Sequence, residues 1–141
     1  LFRAGAAPWH DELGLLQRLA ARLRPGSVQV FGALELWDLC ALIAASRGFC
    51  GSSLHGRIVA AAFGLPRLSV LAPTAGGRIG KQAAHAATWD DAARPAVVEL
   101  HELADGLQAV LAAETAPLQA QARRLAACCR QGFAALCEGL V

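Results

Sequence analysis

Hydrophobic residues recur three or four positions apart from Asp11 to Leu23, at Leu13, Leu16, Leu19, Ala20 and Leu23. That spacing predicts an amphipathic helix. Pro8 and Asp11 mark its start and Pro25-Gly26 its end. The period then changes. Val28 and Val30 alternate with polar neighbours, so Ser27 to Phe31 reads as a short strand. Leu36, Leu39, Cys40 and Ile43 restore helical spacing over Leu34 to Ser46, and Arg47-Gly48 closes it. Phe49-Cys50-Gly51 reads as a brief buried strand. Ser52-Ser53 are good N-cap residues for a helix from Leu54 to Phe63. Gly64 stands where a C-cap glycine belongs, and Pro66 blocks continuation.

Leu68, Val70 and Leu71 predict a strand over Arg67 to Ala72, and Pro73 to Gly80 reads as a long Gly/Pro loop. A helix from Lys81 to Asp91, a short strand from Pro95 to Leu100 and a helix from His101 to Glu114 follow. Pro117 suits the first turn of a last helix reaching Glu138. Strands alternate with helices, which predicts an α/β fold: a parallel sheet of about four to five short strands flanked by helices, with a C-terminal helix pair. In such sheets ligands bind beyond the carboxyl ends of the strands. The loops to watch are therefore Gly5 to Asp11, Gly51 to Gly56 and Pro73 to Lys81. The Ala-rich helix pair has no following strand and is free to pack on a neighbouring domain.

A chain of 141 residues bounds the answer to one domain or one half of a larger enzyme. At 55% hydrophobic and 17% charged residues, disorder is excluded. The net charge of +2 is small, and its arginines are scattered. The densest group, Arg18, Arg22 and Arg24, is spaced like a solvated helix face, so nucleic-acid binding is set aside. The five cysteines include no C-x-x-C pair and read as buried, reduced thiols with no metal or disulfide role. No run approaches the roughly 18 apolar residues of a membrane span, and no signal peptide is visible, so a cytoplasmic location is expected. The absence of Met implies a piece of a longer protein, and Lys81 is the single Lys.

Chemistry concentrates in Cys50-Gly51-Ser52-Ser53-Leu54-His55-Gly56-Arg57. A strand ends, two hydroxyls cap a helix, and His55 and Arg57 sit in its first turn. Backbone N–H groups at a helix N-terminus attract anions. A guanidinium adds charge-assisted contacts to a carboxylate or phosphate, and an imidazole exchanges protons. Spacing alone fits equally well two plain capping serines and a structural His55. Further on, Ala75-Gly76-Gly77-Arg78-Ile79-Gly80-Lys81-Gln82 nearly matches a phosphate-binding loop. Gln82 replaces its magnesium-holding hydroxyl, which argues against an NTPase. Lys81, His85 and Trp89 follow at one-turn intervals and share a face. His101-Glu102 lacks the second His of a zinc-protease motif and reads as structural.

The stretch Gly51-Ser52-Ser53-Leu54-His55-Gly56-Arg57-Ile58, then Ala60 to Phe63, Gly64 and Pro66, resembles the signature of the polysaccharide pyruvyl transferase family. Lys81 followed by Trp89-Asp90, and Ala7-Pro8-Trp9-His10-Asp11 upstream, are similar to bacterial members. The resemblance covers about positions 1 to 115. It implies a GT-B-like enzyme of two Rossmann-like halves. Residues 1–115 would be its C-terminal half, and 116–141 a C-terminal helix packing on that half or on the missing N-terminal one.

Such enzymes move a pyruvyl group from phosphoenolpyruvate to hydroxyls of a saccharide acceptor, forming a ketal on a surface polysaccharide or its lipid-linked precursor. By the resemblance His55 is the acid. Ser52 and Ser53 hold an anionic group of the donor, and Arg57, Lys81, His10 and His85 join as candidate substrate-binding residues. No metal or cofactor is implied. In one departure, characterised members often carry an Arg that binds the donor carboxylate where this chain has Ser53. Arg57, four residues on, is the candidate replacement. A non-catalytic anion- or sugar-binding module of the same fold and a nucleotide-sugar glycosyltransferase half are the alternatives.

Overall fold

The computed structural model describes residues 2, 12–33, 35–71, 80–90 and 96–139. The chain divides into two units, Leu1–Leu42 and Ile43–Val141.

In the first unit, α1 (Leu13–Ala20) is amphipathic, and Leu13 and Leu16 lie half-buried. Turns carry the chain onward to Gly26, whose φ of 79° is a left-handed conformation that a side chain would disfavour. The expected strand over Ser27 to Phe31 does not form among the described residues. Phe31 makes a single parallel bridge to Phe2, and Val28 and Val30 stay outside any ladder. Alternation supplies a face, but a strand exists only where a neighbour pairs with it. The helix α2 (Leu36–Ala44) follows and runs past the unit boundary at Leu42; Leu39, before the boundary, and Ile43, after it, are buried.

The second unit holds the sheet. β1 (Phe49–Gly51), β2 (Arg67–Val70) and β3 (Val97–Val98) lie in that order, all parallel. The crossovers are α3 (Leu54–Ala62) and α4 (Lys81–Trp89). A short 3₁₀ turn (Leu100–Glu102) leads into α5 (Leu103–Leu111), and α6 (Thr115–Glu138) ends the described chain. Three strands form the sheet among the described residues, fewer than the four or five expected.

Side-chain alternation along β2 assigns its two faces. Leu68 packs with Val98 and Val110, and with Leu103 and Leu107 of α5. Gly106 lets α5 approach, since an added Cβ there would lie 3.1 Å from both Leu68 and Val98. Arg67 and Ser69 face the other way, toward α3 and α6. Phe49, in register with Arg67, shares that second face, and its ring presses on Gly56 of α3. A Cβ at Gly56 would sit 2.5 Å from the Phe49 ring, so glycine is required for the helix to lie this close. Gly64, at φ 64°, ends α3 as the sequence implied, and the backbone of α6 passes beside it at Gln119.

The two last helices take separate places. α5 packs on β2 and α6 on α3. The cysteines also depart from expectation. All five are free, but only Cys40 is even partly covered, and Cys50, Cys128, Cys129 and Cys137 are exposed. Cys128, Cys129 and Cys137 ride the distal half of α6, where nearly every described position is exposed.

Candidate functional site

Parallel pairing puts the carboxyl ends of β1 and β2 on one edge of the sheet, so α3 and α4 both start there. At α3, Ser53 has extended backbone (φ −78°, ψ 120°), and its hydroxyl accepts a hydrogen bond from the Gly56 N–H at 3.2 Å. That is the capping geometry implied by the sequence. It occupies the Ser53 hydroxyl and leaves the earlier N–H groups of the turn facing outward. His55, second in the helix, is exposed. Ser52 is exposed as well, and its carbonyl accepts a hydrogen bond from the Gln82 side-chain amide.

Gln82 is the second residue of α4. The residue that spoiled the phosphate-loop match thus ties the two helix starts together. α4 begins at Gly80 with no side-chain cap, and Lys81 at its first position is exposed. Two helix N-termini, each carrying partial positive charge, therefore share one sheet edge with a lysine, an imidazole and a hydroxyl. Residues 72–79 of the glycine-rich loop lie outside the described residues, as does His10.

Arg57 is placed otherwise. It is 0% exposed and sits beneath the site, against the sheet. Its Nη1 donates to Ser69 Oγ at 3.1 Å and to the Ala96 carbonyl at 2.9 Å. Its Nη2 pairs with Asp90 Oδ2. Arg67 reaches the other oxygen of the same carboxylate, with Nε 3.0 Å from Oδ1. Arg67 also donates to the Leu65 carbonyl at 3.2 Å and to Gln121 of α6 at 3.4 Å. Gln121 in turn donates to the Trp89 carbonyl.

Arg57 thus staples α3, β2, the start of β3 and the end of α4, and it is not free to hold a donor carboxylate. The sequence offered it as a replacement for the missing family arginine; the structure places it in this buried cluster and not at the exposed edge. Burial, and secondarily the charge of Arg67, lowers its pKa to about 10. It therefore stays protonated near neutrality.

His85, on α4, is half-buried with its Nδ1 shielded and without a partner among the described residues. Burial and the nearby Arg57 and Arg67 charges hold its pKa below the ordinary histidine value. It belongs with the charged cluster rather than with the exposed edge. Cys50 is exposed as a residue, but partial desolvation of its thiol pushes the pKa above the ordinary cysteine value.

The sequence reading missed the shared carboxylate of Asp90 and the partners Arg67, Ser69 and Gln121. One signal was present. A basic residue at the first position of a buried strand, as Arg67 is, requires a buried counter-charge. Among the described residues no group of His, Cys, Asp and Glu is arranged to hold a metal ion. Among the described residues, no helix is long and apolar enough to cross a membrane. Comparison with known proteins finds no matching family model, no matching curated protein and no matching solved structure.

Proposed function

We propose that this chain is one half of a transferase that binds phosphoenolpyruvate at the shared edge of α3 and α4 and delivers its pyruvyl group to a saccharide acceptor. The observation that supports it is the pairing of two helix N-termini, joined by the Gln82–Ser52 bond, beside exposed His55 and Lys81. The donor carries a phosphate and a carboxylate. Both require fixed positive potential, which outward N–H groups and an ammonium supply without rearrangement.

The chemistry needs one proton placed on carbon. A proton from His55 to the donor's methylene carbon forms a methyl group and makes the adjacent carbon electrophilic. One acceptor hydroxyl attacks that carbon, and a second displaces the phosphate, completing the ketal. Of the two hydroxyl protons, one restores His55 and the other leaves with phosphate. Lys81 stabilises the departing charge. In this reading Arg57 positions the helix and does not touch the donor.

The test is thermal denaturation of the chain with phosphoenolpyruvate and, separately, with a nucleotide sugar. A rise in Tm with phosphoenolpyruvate alone, lost in Lys81→Ala, supports the reading. No rise, or an equal rise with the nucleotide sugar, overturns it. In the assembled enzyme, His55→Ala is expected to keep donor binding and lose transfer to sugar. Donor binding without transfer by the unaltered protein would mark a non-catalytic anion-binding module instead.

A further inference from the structure

A cleft of about 540 Å³ opens between the end of α4 and the first half of α6. It lies eight residues from Lys81 along α4, roughly 12 Å at the helical rise, so it is separate from the α3 edge. Its volume falls within the range typical of small-ligand sites. Trp89, Pro117 and Leu118 form an apolar wall; Asp90, Gln121 and Arg124 supply the polar groups.

Two features distinguish it from a surface dent. Trp89 is 45% exposed and lines the concave site, so a large apolar side chain is open to a ligand there. The polar groups are held rigidly as well. Both Asp90 oxygens are engaged by buried guanidiniums, and Gln121 is fixed between Arg67 and the Trp89 carbonyl. Among the described residues, Arg57 and Arg67 pair with the Asp90 carboxylate, and Arg124 lines the same cleft as Asp90. Arg124 is exposed and has no ion-pair partner among the described residues. Among the described residues, the groups left unengaged at the cleft are therefore the open side of Trp89 and the Arg124 guanidinium.

We propose that the cleft formed by Trp89, Pro117, Leu118, Gln121 and Arg124 binds a small ring-bearing anion, its ring against the Trp89 indole and its carboxylate or phosphate on Arg124. The ring excludes water from the indole and the apolar wall beside it. The anion takes the two-pronged hydrogen bonding that a guanidinium offers to planar oxyanions. Asp90, already neutralised by its two arginines, does not repel the ligand as a free carboxylate would. This site is independent of the donor site at the α3 edge and shares no residue with it.

An acidic sugar and a nucleotide both meet this description, and titration calorimetry on the 141-residue chain separates them. The probes are glucuronic acid and uridine monophosphate, with glucose and inorganic phosphate as controls lacking the anion or the ring. Binding of either ring-bearing anion at least tenfold tighter than its matching control supports the proposal, and the tighter of the two names the source. Arg124→Gln, an exposed helix substitution, is expected to weaken that binding tenfold or more, and Trp89→Leu likewise, with the melting temperature monitored to show that each variant is folded. Absence of heat with both anions overturns the proposal. So does phosphate binding as tightly as uridine monophosphate, or binding that survives both substitutions unchanged.

Discussion

Two sets of charged and polar side chains lie on one short helix and do opposite work. At the α3 edge, His55 stands in solvent two residues from Arg57, which is wholly buried. Neighbours two apart on a helix do not face each other, so the same turn presents one group outward and drives the other into the sheet. Outside, polar groups are cheap to keep and free to meet a ligand. Inside, each must find a partner, and Arg57 shares Asp90 with Arg67 because one carboxylate has two oxygens to offer. A motif that reads as a single functional cassette is thus part site and part scaffold.

The contrast can be broken hardest at Asp90. Asp90→Asn leaves two buried guanidiniums without a counter-charge, and unfolding by denaturant should show a loss of about 3–5 kcal/mol. A loss below about 1 kcal/mol would mean that the cluster is solvated and the contrast false. Gly56→Ala comes next. The added methyl meets the Phe49 ring at 2.5 Å, and a cost of about 1–3 kcal/mol is expected from overpacking. Ser53→Ala removes a cap and should cost about 1 kcal/mol, with Ser53→Asn restoring most of it. His55→Ala should change stability by less than about 0.5 kcal/mol, as an exposed position does. A large loss there would move His55 from the site to the scaffold.

Acid sharpens the same comparison. His85 has a folded pKa held below its ordinary value of about 6.5 by burial and by the two arginines. Below that value the unfolded chain binds the proton more readily than the folded one, so stability falls as pH drops from about 6.5 through the lower folded pKa. Urea midpoints measured between pH 7 and 5 should decline, and His85→Gln should flatten that decline. An unchanged slope in His85→Gln would detach His85 from the cluster.

Much of this architecture is written locally. Helical spacing located α1 and α2, the serine pair located the start of α3, and Gly64 located its end, because caps and periodicity act over a few residues. The alternation of strand and helix implied parallel strands, and with them the edge where α3 and α4 begin. The strand expected at Ser27 to Phe31 failed because pairing is not local. Val28 and Val30 have the pattern, but among the described residues the segment's β-bridge is at Phe31 alone. The cysteines failed for a related reason, since apolar helical surroundings in sequence do not guarantee a covering surface.

The residue types at the α3 edge were legible, and their division was not. That Arg57 turns inward, that Asp90 receives it from 33 positions away, and that Gln82 reaches back 30 positions to Ser52 are facts of tertiary structure. The sequence by itself determined the helices, the core strands and which of these elements bear charge. Only the packing of α3 on the sheet decided which charges meet solvent and which must neutralise one another, because desolvation depends on what lies across a contact, not on what lies next in the chain.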